Sequence, residues 1–235
     1  MTEPSPSIKP GSAIAAALLF NPMLGSLYAW SVFLGPLEAE LGVLRSEIST
    51  VFGVAIFSLT AGVVCAPMAN SRVPTALLLI VATLLCVGGL LISAEVNSVL
   101  MLTVSYGGLF GFGAGFGYSV TLQLINRALA DRRGLANGLG LGAFPIGAIG
   151  FSLIFGMIIE TVGSRSIFLG TAILFAVGGL TAAFLTHRSG IRFDRVADIV
   201  TEKTEFPRIL YPIIWLGFLR RLRTASWRLG TPPAF

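Results

Sequence analysis

The residues of this chain that could do covalent or metal chemistry are few and far apart. His187 is the single histidine, Cys65 and Cys86 are the two cysteines, and no C-x-x-C pair occurs. A zinc site needs a cluster of ligands, and a serine protease needs a base beside its nucleophile. One histidine next to Arg188, at the end of an apolar run, supplies neither. The two cysteines fall inside apolar runs and read as small buried side chains. Asn21-Pro22-Met23 occurs once, without the second copy that an aquaporin-like pore would use. No Asp, Glu, Lys or Arg lies well inside an apolar run, so the ionisable groups that usually mark proton relays and ion pathways are missing from them. The sequence argues against an enzyme and calls for no cofactor and no metal.

The elements that must carry the remaining residues follow from composition. Of 235 residues, 54% are apolar and 11% charged, against roughly 25% charged in a soluble domain. Six intervals hold no charge: Pro10–Leu37, Ile48–Ser71, Val73–Ala94, Val96–Asn126, Gly134–Ile159 and Ser166–Thr186. Each reaches the ~20 residues that a helix needs to cross the hydrocarbon. Lipid forbids unpaired backbone, which leaves helices or a closed barrel, and runs such as Ala76–Ile92 are apolar on every side rather than alternating. The expected fold is an all-α integral membrane bundle of six helices. The first interval is too long for the apolar region of a signal peptide and reads as a retained helix. Residues 1–10 form a short N-terminus, 11–187 the bundle, 188–208 a polar linker, and 209–235 an aborted seventh helix with a basic tail.

Lys9, Arg72, Arg127, Arg132, Arg133, Arg188, Arg192, Arg195, Lys203 and Arg208 fall on one side of this topology, and only Arg45 and Arg165 on the other. The positive-inside rule puts the N-terminus and the segment after the sixth helix in the cytoplasm. The net charge of +5 thus reports orientation in membrane lipid, and no nucleic-acid role is assigned to it.

Two patterns stand out within the helices. Gly107, Gly111 and Gly115 recur every fourth residue, as do Gly134, Gly138 and Gly142. That spacing sets small residues on one face, where helix backbones can approach closely; such faces also let helices slide and rock. The second pattern is Gly25-x-x-Tyr28 in the first helix and Gly115-x-x-Tyr118 in the fourth. These helices open two three-helix units of opposite orientation, so a shared G-x-x-Y is what an inverted 3+3 repeat would leave. Tyr28 and Trp30 could instead belong to an interfacial aromatic belt, although both lie near the middle of their interval.

Several stretches resemble the N-terminal half of a major facilitator superfamily transporter, and within it the oxalate/formate antiporter-like family. They are Tyr28-Ala-Trp-Ser-Val-Phe33 with Pro36-Leu37 and Ser46-Glu-Ile-Ser49, Asn126-Arg127 with Asp131-Arg-Arg-Gly-Leu-Ala-Asn-Gly138, and Gly163-Ser-Arg-Ser-Ile-Phe168, the last with Ser164 where many members have Trp. The resemblance implies twelve helices in two halves around a central cavity, with alternating access by rocking. It implies that Tyr28, Trp30, Tyr118 and Gln123 face the cavity and stack on, or hydrogen-bond to, a small organic anion, most simply a carboxylate. Arg72, Asp131, Arg132 and Arg133 would sit at cytoplasmic gates. The superfamily's G-x-x-x-D-R-x-G-x-R should occupy Ala66–Thr75, which here reads APMANSRVPT with Asn70 at the Asp position.

In this family the basic residues that bind the substrate lie in the second half. The chain is therefore expected to be a truncated, inactive N-terminal half; the alternative is a half-transporter or pore that works as a homodimer. Ile209–Leu219 begins like a seventh helix, yet at 1.5 Å per residue it spans only ~16 Å. Arg220–Phe235 then reads either as an interfacial cationic segment or as out-of-frame residues.

Cysteine probes test the topology. Probes at Gly42 and Ser98 should react from outside the cell, and probes at Leu129 and Ser189 only after permeabilisation; the reverse pattern would overturn the orientation.

Overall fold

The computed structural model describes residues 10–70 and 73–190. Arg72, the linker after Gly190 and the seventh-helix segment with its basic tail lie outside the described residues.

The described residues build six membrane-length spans, the last helix being divided in two at Gly163. The first, Pro10–Val32, starts as α1 (Pro10–Leu24), tightens into a 3-10 segment (Gly25–Val32) and is followed by the short α2 (Leu34–Leu41). Gly42, at φ +63°, closes α2 in a left-handed conformation that suits glycine. The second span is α3 (Arg45–Asn70) and the third α4 (Thr75–Ala94). At the start of α3 the Leu44 amide donates to the Glu47 carboxylate at 3.0 Å, a side-chain cap for an orphan N–H. The fourth span, Val99–Ala128, comprises α5 (Val99–Leu102), a π-helical segment (Thr103–Phe110) and α6 (Gly111–Ala128). After a 3-10 turn (Ala130–Arg132) comes α7 (Arg133–Ser189), which Gly163 breaks at φ 76°, ψ 165° into arms 133–162 and 164–189.

The arms run antiparallel. Phe33 meets Phe155 of the first arm and Phe168 of the second, while Asn21 reaches Gly140 and a Cβ on Gly178 would touch Met23. Both arms therefore follow the first span back from Gly163, and they are the fifth and sixth spans. The expected link of several residues is in fact a single glycine, because only a residue free to adopt positive φ can reverse two helices so abruptly.

Close approach decides which spans pair. A Cβ on Gly25 would overlap the Phe144 carbonyl, and one on Gly147 the Pro22 carbonyl. In the same way, a Cβ on Gly115 would overlap the Leu59 carbonyl, and one on Gly62 the Phe112 carbonyl. Pro22 and Phe112 each precede the glycine of a G-x-x-Y by three residues. Phe144 and Leu59 likewise precede Gly147 and Gly62 by three. Spans one and five thus cross in the register in which spans four and two cross, and the inverted 3+3 repeat is written in the contacts. Gly111 adds to the second crossing, with a Cβ position 2.7 Å from the Ala55 carbonyl, and Gly107 lies 3.1 Å from that of Val51. α4 completes the bundle by packing on α7, where a Cβ on Gly179 would overlap Thr83.

Gly138 and Gly142 depart from the expectation of helix packing, since nothing lies within 4 Å of a Cβ at either position. Four-residue spacing sets glycines on one face without fixing where that face points. Here it points out of the bundle, and Gly147 makes the contact.

The outer surface is apolar, with Phe57, Met68, Leu100 and Met157 each more than two-thirds exposed, as a lipid-facing surface requires. Inside, hydroxyls bond to their own helices, as Thr83 does to Leu79 and Ser93 to Gly89, each at 2.7 Å. Between helices, the Thr121 hydroxyl donates to Asn21, whose amide donates to the Gly140 carbonyl at 3.3 Å. At the Gly163 end, the Ser164 hydroxyl donates to Glu40 at 2.7 Å and Arg165 pairs with Glu95, which ties three loops together.

The crossings can be tested with single methyl groups. Gly62→Ala and Gly147→Ala should each cost about 1–3 kcal/mol by overpacking, read as a lower thermal midpoint in detergent. Gly138→Ala should be neutral or slightly stabilising.

Candidate substrate cavity

The crossings also position the aromatic side chains. Tyr28 lies one turn beyond Gly25 and Tyr118 one turn beyond Gly115, so each emerges where two spans have been drawn together. Tyr28 is 45% exposed. Its ring meets Phe144 edge-on at 5.4 Å and Phe52 at 5.8 Å. Tyr118 meets the same Phe144 at 5.3 Å and 71°. Phe144 therefore stands between the two tyrosines, and the first, second, fourth and fifth spans each supply one ring.

Edge-to-face pairs add about 0.5–1.5 kcal/mol each beyond their burial, enough to hold the rings in place while their outer surface stays open. Neither phenol hydroxyl bonds to another described residue. Tyr118 lies about ten residues before the end of α6, roughly 15 Å along the helix and so near mid-membrane. Such a patch has no nucleophile and no charge. It can grip a small molecule by ring contact and donate two hydrogen bonds to an oxygen.

Trp30 does not share this face. It is 3% exposed, with its ring 4.5 Å from Tyr106 and 6.3 Å from Phe33, inside the bundle. Helix geometry explains the correction: residues two apart differ by about 200° in an α-helix and about 240° in a 3-10 helix, so Tyr28 and Trp30 cannot share one face in either winding.

Gln123 is placed elsewhere again. Its carbonyl accepts from Asn70 at 2.8 Å, and its amide donates to the Ser119 carbonyl at 3.2 Å and hydroxyl at 3.3 Å. It links the end of α3 to α6, more than a turn beyond Tyr118, and is not brought together with the aromatic group. Asp131 and Arg132 in the 3-10 turn and Arg133 at the start of α7 are exposed neighbours.

Phe52 and Phe144 are the members of the patch that sequence reasoning missed. The signal for Phe144 was its position three residues before Gly147. It becomes visible once the repeat is followed into the second and fifth spans as well as the first and fourth.

Known proteins with related sequences agree with this architecture. The Major Facilitator Superfamily pattern matches residues 14–227. An uncharacterized MFS-type transporter of Escherichia coli K12, YhjX, is 30% identical over 161 residues, covering 67% of this chain and 40% of the relative. The oxalate:formate antiporter of Oxalobacter formigenes is 24% identical over 194 residues, 81% of this chain and 45% of the relative. Monocarboxylate transporter 2 of Mesocricetus auratus is 26% identical over 127 residues, 52% of this chain and 26% of the relative. The chain thus spans less than half the length of each of these relatives. With a family pattern covering most of its length and a six-span inverted repeat beneath it, the chain belongs to the major facilitator superfamily.

Proposed function

We propose that this chain serves as the N-terminal six-helix half of an alternating-access transporter for small organic carboxylates, held in the inner membrane with its N-terminus in the cytoplasm. The observation that carries the reading is the Tyr28–Phe144–Tyr118 group, which presents two open phenol donors beside apolar rings at mid-membrane depth. A carboxylate with a short carbon skeleton matches both features. Two of the relatives are named for transport of such anions, in keeping with this substrate class. The charge that would neutralise the anion comes from the facing half, since the spans of this half place no ionised side chain beside the patch. Phe52 and Phe144 join Tyr28 and Tyr118 in the cavity; Trp30 leaves it.

The cytoplasmic gate in this reading has two parts. The neutral Asn70–Gln123 pair holds spans two and four where the superfamily pattern carries an Asp. Asp131, Arg132 and Arg133, with Arg72, provide the charged rim that meets the second half in one state and releases it in the other.

Equilibrium binding of labelled oxalate and a labelled monocarboxylate tests the site, with the chain in nanodiscs alone and co-expressed with a second six-helix half. Tyr28→Ala and Tyr118→Ala should each weaken binding by about 1–2 kcal/mol, about 5- to 30-fold in Kd, with folded yield unchanged. Trp30→Phe should leave Kd within about twofold. Normal binding by both tyrosine variants would make these rings packing residues and remove the site.

A further inference from the structure

Between the 3-10 segment of the first span, the π-helical segment of the fourth and the sixth span lies a small cavity with room for a single water-sized molecule. Phe33, Phe110 and Phe168 supply apolar wall, and Ser26, Tyr106 and Thr171 line the rest. All three polar residues are buried.

Their hydrogen-bonding states are complementary. The Ser26 hydroxyl has no partner. Tyr106 gives its proton to the Leu27 carbonyl at 3.1 Å, and Thr171 gives its own to the Ile167 carbonyl at 2.7 Å. Each of those two oxygens keeps lone pairs that its protein partner does not use. The cavity therefore offers one free donor, on Ser26, and two free acceptors. A buried water makes about three hydrogen bonds on average and requires at least two polar partners. A dry cavity would leave Ser26 as an unpaired hydroxyl in the low-dielectric core, which is costly. Trp30, stacked on Tyr106, also has an unpaired Nε1–H, so the polar demand of this part of the core exceeds what the protein meets by itself.

We propose that this cavity binds one ordered water, which accepts from Ser26 and donates to Tyr106 and Thr171. The water joins the first, fourth and sixth spans at the level where two of them leave α-helical winding. This site is separate from the aromatic patch and does not depend on the transport reading.

The two states of the cavity give opposite signs in one substitution. With the water present, Ser26→Ala removes one of its partners and should lower the thermal midpoint of the full chain by about 2–4 °C. In a dry cavity the same change deletes an unsatisfied hydroxyl and raises the midpoint. Ser26 and Thr171 share no direct bond, so a double-variant cycle with Thr171→Val should be non-additive if one water serves both and additive if not. Should Ser26→Ala fail to fold, Ser26→Cys keeps the volume with a weak hydrogen-bonding group and reads the same sign. A high-resolution density map should show a single peak between the three side chains. A raised or unchanged midpoint, an additive cycle, or an empty cavity in that map would each overturn the proposal.

Discussion

Two backbone contacts organise this bundle: Gly25 against Gly147, and Gly62 against Gly115. At both crossings a single added methyl group would overlap a carbonyl of the facing helix. In lipid the hydrophobic effect does not draw helices together, because the tails are as apolar as the side chains. Association has to come from packing and from polar bonds between helices, and glycine permits the tightest packing. The pairing of spans, the antiparallel repeat and the positions of the side chains one turn away all follow from where these glycines lie.

The polar contacts reinforce the same arrangement. Asn21 bridges Thr121 and the Gly140 carbonyl, joining spans one, four and five near the first crossing. Ser93 and Ser105 pair at 2.8 Å between the third and fourth. Asn70 and Gln123 join the second and fourth at the far end. None of these bonds uses an ionised group, which keeps desolvation modest in a medium where burying a charge is expensive. Formal charge is confined to the ends, where Glu95 and Arg165 meet. The interior can therefore shift as packed units without separating buried ion pairs.

The departures from α-helical winding serve the interior. The 3-10 segment carries Trp30 buried against Tyr106, and the π-helical segment carries Tyr106, whose hydroxyl donates to the Leu27 carbonyl. Such irregularities are tolerated in a membrane protein where neighbouring groups take up the freed backbone atoms. Here Tyr106 links the two irregular segments, through its hydroxyl to the Leu27 carbonyl and its ring to Trp30.

Sequence by itself determined the class, the number of spans and the repeat. Charge-free runs of bilayer length that are apolar on every side rather than alternating must cross lipid as helices, and the two G-x-x-Y stretches already marked the spans related by inversion. Tertiary structure alone decided which way each helix is rotated. Spacing puts Gly134, Gly138 and Gly142 on a common face as surely as Gly107, Gly111 and Gly115, yet only the second set meets a neighbour, because rotation is fixed by partners distant in sequence. The same reason decides which of Tyr28 and Trp30 faces inward: Trp30 meets Phe33 and Tyr106 inside the bundle, while Tyr28 meets Phe52 and Phe144. It also explains why Phe144, with no motif of its own, joins the two tyrosines: it lies at a crossing formed by glycines more than a hundred residues apart.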